Sequence, residues 1–202
     1  MGRELSETKL ALMRAGEEMF AAYGIDGARA SEILRAADQA NDSAINYHFG
    51  SRWGLILAIV EWHVTEMEQR REPPVPGSSL RELVAGVVVP STTALMTQRG
   101  RYFLRLANQL VDRSSLPIHE IPPFLAGTIL LDQLSALQAA MTHLPASVRA
   151  DRLHHFIVFH VCAVAIRAQR IDTGESDLLD QHDEYVADLV AVLTAVLEAG
   201  HH

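Results

Sequence analysis

Apolar residues recur three and four positions apart through most of the chain, the period of helices with one buried face. From residue 78 onward no segment alternates as a series of strands would. A first helix is expected from residue 6 to about 23. Its stripe holds Leu10, Met13, Glu17 and Phe20 beside Leu12, Ala15, Met19 and Ala22, and Gly24 is placed as a C-terminal cap. Residues 28–55 read as a short helix, a tight turn, a second short helix and the start of another. Ile33 and Leu34 anchor the first short helix, with Ala36 and Ala37 on its tail. Asp38-Gln39-Ala40 make the turn, and Ile45 and Phe49 share one face of the next helix over 41–49. Ser51 then opens a helix to about residue 70, with Leu55, Ile56, Ile59, Val60, His63 and Met67 on its core side.

Prolines at 73, 74 and 76 make the clearest boundary in the chain. Beyond it the pattern predicts a helix over 80–98 that Pro90 kinks or splits, with Gly100 separating it from a helix over 101–113. A three-proline loop is expected over 114–123, then helices over 124–144, 145–170 and 177–199. The centre of the helix over 145–170, residues 156–166, is apolar all round apart from His160, as for a helix packed on several sides. The fold class is therefore all-α, with about nine helices in two domains. The proline boundary is expected to divide the chain into residues 6–70, with the two short helices and a connecting helix, and residues 78–199, a second helical part.

Two short helices joined by a few residues form a helix-turn-helix, whose second helix can enter the DNA major groove. Asn41 can cap that helix by accepting a backbone N–H two or three residues on. Asp42, Ser43, Asn46 and Tyr47 remain to face outward.

These residues resemble the DNA-binding domain of the TetR family of bacterial transcriptional regulators. Ile45-Asn46-Tyr47-His48-Phe49-Gly50-Ser51-Arg52 matches the family's aliphatic-x-Tyr-x-Phe-Gly-Ser-Lys/Arg signature, and Ala15, Met19, Phe20 and Gly24 fit the spacing of its first helix. The resemblance covers about the first 65 to 70 residues. It implies a three-helix helix-turn-helix DNA-binding domain with its connecting helix over 6–70 and a helical ligand-binding and dimerisation domain over 78–199. It also implies that positions like Tyr47 and Arg52 contact phosphates, while positions like Ser43, Ala44 and Asn46 face base edges, Asn46 having both donor and acceptor for adenine. Arg29, Asn41, Asp42 and His48 complete the expected DNA-binding set. Two departures stand out. The turn, where the family usually has Gly, carries Asp38, Gln39 and Ala40, and Asp tolerates a left-handed conformation better than most residues. Ala28 and Arg29 stand where the family often starts its second helix with Thr or Ser.

Charge complicates this picture. The formal net charge is −8, and residues 1–71 hold eight Lys or Arg against eleven Asp or Glu. The recognition helix has no Lys or Arg. Phosphate contacts would come from Arg29, Arg35, Arg52, hydroxyls and helix N-termini, giving modest, strongly salt-sensitive binding by a dimer. At 202 residues, 49% of them hydrophobic, the chain can bury a full core. Cys162 alone cannot form an internal disulfide, the N-terminus is polar, and the longest apolar run is short of the roughly 20 residues that span a bilayer. A cytoplasmic protein with no membrane partner is expected. Gly200-His201-His202 is set aside as a tag remnant.

No metal or cofactor is expected. His154, His155 and His160 share a helix without any metal-binding pair spacing, and no Gly-x-Ser-x-Gly, phosphate-cradling or dinucleotide fingerprint occurs, so the chain is not expected to be an enzyme. Arg99, Arg101, Arg105 and Arg113 read as an anion site or, more readily, a solvated helix face. For a largely apolar small-molecule effector, the candidate contacts are Trp62, Phe103, Asn108, Gln133, Gln138 and His160, with Gln109 beside them. The reading is a homodimeric repressor that occupies a palindromic duplex operator and leaves on binding its effector. The alternative is a helical ligand-binding or scaffold dimer whose DNA-binding head has decayed.

Overall fold

A computed structural model describes residues 6–112 and 123–200. Among them run nine α-helices: α1 (Glu7–Gly27), α2 (Ala30–Ala36), α3 (Ala44–Phe49), α4 (Arg52–Glu68), α5 (Leu80–Thr92), α6 (Gln98–Asp112), α7 (Ile129–Ala140), α8 (Ala146–Asp172) and α9 (His182–Glu198). Short 3-10 turns cover Thr93–Met96, Pro123–Leu125 and Ser176–Leu179. The all-α expectation therefore holds. Arg113 and the loop expected over 114–123 lie outside the described residues, apart from Pro123.

Several boundaries differ from expectation, each for a physical reason. Gly24 does not end α1. It takes φ 77° and ψ 164° and kinks the helix, which then resumes to Gly27. Pro90 sits buried inside α5, which gives way three residues later to a 3-10 turn. The hydroxyls of Ser91, Thr92 and Thr93 back-bond to the carbonyls of Val88, Val89 and Pro90 at 2.7, 2.8 and 2.7 Å, tightening that stretch. Proline has no N–H for the carbonyl four residues earlier. That carbonyl, Gly86 O, accepts from the buried Arg71 guanidinium at 3.2 Å instead. Gly100 does not separate helices but belongs to the first turn of α6. A Cβ there would lie 2.1 Å from the Ala94 carbonyl oxygen, so only glycine allows the 3-10 turn to lie so close. The helix expected over 124–144 shortens to α7, because Gly127 turns the chain at φ 76° and Thr128 caps the helix by accepting from Leu131 N. The last helix splits into a 3-10 turn and α9.

Buried apolar residues fall into two clusters. The first joins Leu12, Phe20 and Ile25 of α1 to Ile33 and Leu34 of α2, Ile45 of α3 and Leu55, Ile56 and Ile59 of α4, and it also takes in Leu106 and Leu110 of α6. The second spans α5 to α9 and includes Met67 at the end of α4 and Phe103 and Leu104 of α6. One helix, α6, thus contributes large side chains to both cores.

Candidate nucleic-acid interface and the joint behind it

The turn between α2 and α3 is built from backbone hydrogen bonds. Gln39 N–H donates to Leu34 O at 2.9 Å and Asp38 N–H to Arg35 O at 3.1 Å, the paired bonds of a Schellman cap. Its left-handed position is Asp38, at φ 52°, where glycine is the common occupant. The tolerance expected of Asp at this turn is what the chain uses. At the start of α2 no side chain of Ala28 or Arg29 caps the helix. Instead Glu32 reaches back and accepts from Arg29 N at 3.4 Å. Asn41 closes a local turn, its Oδ1 accepting from Ser43 N at 2.9 Å, and the helix begins at Ala44.

On α3, Ala44, expected at a base edge, is instead buried beside Ile45, and Phe49 packs against the head core. Asp42, Ser43, Asn46 and Tyr47 are exposed, Tyr47 to 82%. His48 is half-buried with its ring edge-on to Tyr47 at 4.9 Å. The residues after α3 explain the rest of the signature. Gly50 takes φ 75° and ends the helix, and Ser51 caps α4 by accepting from Gly54 N at 2.9 Å. Gly54 then lies so near the end of α3 that a Cβ would sit 2.0 Å from Phe49 O. Helix α3 is therefore seated directly on the first turn of α4.

Arg52 takes a different place from the one expected of it. Its Nη2 donates to the carbonyls of Ile25 and Ala28, the latter at 2.7 Å, and its guanidinium lies 5.3 Å from the Phe20 ring centroid. It ties α4 to the corner after α1. Arg29 is exposed. Lys9, which sequence reasoning passed over, stands 6.0 Å from the Phe49 ring, beside the end of α3. Nothing in the sequence marks it, since it reaches α3 only through the packing of α1.

Behind the head lies a polar joint to α6. Glu17, fully buried on α1, accepts from Arg99 Nε and Nη2 at 2.7 Å each and pairs with His63 Nε2 at 3.1 Å. Burial alone would raise its carboxyl pKa, but the bonds from Arg99 and His63 outweigh that and hold it below the usual value. Phe103 stacks on His63 with ring centroids 4.3 Å apart, and Arg99 lies 4.1 Å over Trp62. Further along α6, Arg105 donates to Ala21 O at 2.6 Å. Gln109 donates to Phe20 O at 3.1 Å and accepts from Ile25 N at 2.7 Å, which satisfies the N–H freed by the Gly24 kink. The one visible signal in the sequence was Glu17 within an apolar stripe, since a buried carboxylate requires a partner.

The structure scatters the six expected effector contacts. Trp62 alone lines the cavity of about 360 Å³ between α4, the Thr93–Met96 turn and the start of α6. Phe103 lies beneath it against His63. Gln133 borders a separate 270 Å³ recess, accepting from Arg71 and donating to Glu72 O, both at 2.9 Å. Gln138 and Asn108 line small hollows elsewhere. His160 lies buried in the α8 core with Nε2 on Ser91 Oγ at 2.7 Å, and burial, with the Arg71 charge nearby, lowers its pKa to about 4. Gln109 is engaged in the α1–α6 joint. Helical spacing places polar residues on a helix but does not bring residues from α4, α6, α7 and α8 to one cavity.

No protein-family model matches the chain, and no curated protein does. Solved structures share its fold over its length, among them two from Streptomyces coelicolor. A putative transcriptional regulator, SCO4942 from Streptomyces coelicolor, is 18% identical, covers 95% of this chain and 96% of its own, and has a TM-score of 0.50. SCO7222, described as a TetR from Streptomyces coelicolor, is 17% identical over 100% of both chains, with a TM-score of 0.52. The likeness establishes the fold, an all-helical architecture on the TetR plan. Among the described residues, no helix is long and apolar enough to cross a membrane.

Proposed function

We propose that this chain is a dimeric, DNA-binding transcriptional regulator of TetR type, a non-enzymatic cytoplasmic repressor that leaves a palindromic operator when a small molecule binds. The observation that carries the proposal is the exposed Ser43–Asn46–Tyr47 face of a helix whose other side is seated on α4. In this reading Tyr47 and Lys9 position the backbone, and Ser43 and Asn46 read bases. The two similar proteins of known structure are described as transcriptional regulators, which supports the role. Dimerisation is supported by apolar side chains left exposed on α8 and α9: Val158, Phe159, Ile166 and Val192. A symmetric pair would set two recognition helices about one DNA turn, roughly 34–36 Å, apart.

Selection of bound sequences from random duplex DNA at low salt tests the proposal. The expected result is a two-fold symmetric site, with Tyr47→Ala weakening binding to every sequence alike. Val192→Asp, at a position 52% exposed, should yield monomers that no longer hold the full site. Leu193 is 1% exposed, so a charge there would disrupt the core rather than report on pairing. Recovery of no preferred sequence would favour the alternative of a helical dimer with a decayed head, which the acidic balance of residues 1–71 supports.

A further inference from the structure

The 360 Å³ cavity and the buried Glu17 ion pair share one residue, Arg99, and the charges around it select a class of ligand. The cavity has an apolar lining in Trp62, Met67 and Ala94, and its size falls in the range of small-molecule sites. Arg70 and Arg99 line its polar side. The first turn of α6 lines it too, adding the positive end of that helix. Against these stand one carboxylate facing the cavity, Glu66, and one behind it, Glu17. Arg99 binds Glu17 through Nε and Nη2, and its side chain remains 30% exposed. Its plane is fixed over Trp62, so the fork is oriented before any ligand arrives.

We propose that this cavity binds a small organic carboxylate with an apolar body, whose charge is taken by Arg99 in competition with Glu17. A planar guanidinium suits a carboxylate by paired N–H···O bonds. Glu17 belongs to α1 in the head, and Arg99 to α6. A ligand that draws on the Arg99 fork leaves Glu17 with His63 alone and loosens the tie between recognition head and helical body. Ligand and the closed tie then oppose each other reciprocally. The consequence for DNA rests on the regulator reading above, whereas the binding chemistry does not.

The test uses the full chain carrying Trp53→Phe, so that fluorescence reports Trp62, since the chain has two tryptophans. Benzoate and octanoate are titrated against benzamide and benzylamine. The carboxylates should saturate with a change in Trp62 emission and raise Tm, with the neutral and cationic probes much weaker. Arg70→Gln, at an exposed position, should weaken the carboxylates. Glu17→Gln keeps an acceptor for Arg99 but removes the competing charge, and should tighten them by about tenfold, within the usual range of coupling. The proposal is overturned if neither carboxylate binds, if benzamide or benzylamine binds as well, or if folded Glu17→Gln binds carboxylate no tighter. If Glu17→Gln does not fold, the probe comparison and Arg70→Gln decide the matter on their own. Carboxylate binding that behaves as expected but leaves the affinity for a selected operator unchanged would instead count against the regulator reading.

Discussion

The corner that seats α3 and the joint that ties α1 to α6 are held together in different ways. The corner is made of neighbours in sequence. Asp38, Asn41, Gly50, Ser51 and Gly54 each act on backbone groups within a few positions. The joint is made of residues some eighty positions apart: Glu17 with Arg99, Ala21 with Arg105, and Ile25 with Gln109. A corner closed by backbone geometry has one arrangement. A joint closed by a buried ion pair and three side-chain bonds can exchange them for other partners, as the proposed ligand would require.

The largest expected break of this comparison is Gly54→Ala. The added methyl would meet Phe49 O at 2.0 Å, and backbone, not a flexible side chain, would have to move. The cost should be about 3 kcal/mol, the upper part of the usual range for overpacking, and it should fall on the seat of α3. Urea unfolding should show the loss, and DNA binding should vanish before the α5–α9 core melts. If Gly54→Ala binds DNA with unchanged affinity, α3 is not held by the first turn of α4.

The same division decides how much could be read from the sequence. Periodicity sufficed for the helices and for the head core, because Ile33, Ile45, Phe49 and Leu55 face inward wherever such helices pack. The caps at Ser51 and the left-handed Asp38 were legible because turn chemistry is local. Arg52 was not, since a signature position says nothing about which carbonyls lie within reach, and here they are those of Ile25 and Ala28. Gly100 read as a break because glycine usually punctuates, whereas its place is a close approach to Ala94. Of the effector candidates, only Trp62 lines the 360 Å³ cavity beside α4 and α6. The role of α6 as a member of both cores had no mark in its own sequence, whose apolar stripe is that of any amphipathic helix.

A middle-sized effect should separate the body from the head by pH. Above pH 6.5, His160 is neutral in both the folded and the unfolded chain and contributes no pH dependence. Burial, aided by the charge of Arg71, lowers its folded pKa to about 4. Between these values only the unfolded chain takes up the proton, so stability falls as pH falls, and the loss levels off below pH 4. By pH 5 roughly 2 kcal/mol should be lost through this residue. Urea midpoints at pH 7 and pH 5 should differ less in His160→Gln than in the parent chain. Equal differences would mean that some other group carries the acid sensitivity.

The smallest effect sharpens the comparison most, because it changes the corner without removing any of its hydrogen bonds. Asp38→Gly places at φ 52° the residue that takes that conformation without a steric penalty. The relief, about 1 kcal/mol, is partly offset by the greater freedom of glycine in the unfolded chain, so a net gain of a few tenths of a kcal/mol is expected. The substitution also removes an exposed carboxylate between α2 and α3, where phosphates would approach in the proposed complex. Affinity for a selected operator should rise, and the rise should shrink with added salt. Asp38→Asn separates the two causes, since Asn also tolerates the left-handed region but carries no charge. If the gain in affinity is electrostatic, both variants show it and only Gly is stabilised by more than the loss of charge. If Asn binds as weakly as Asp while Gly binds more tightly, the conformation of the turn limits DNA binding instead. If neither variant binds more tightly, the carboxylate lies away from the DNA, and α3 does not approach the duplex by the face that holds Ser43, Asn46 and Tyr47.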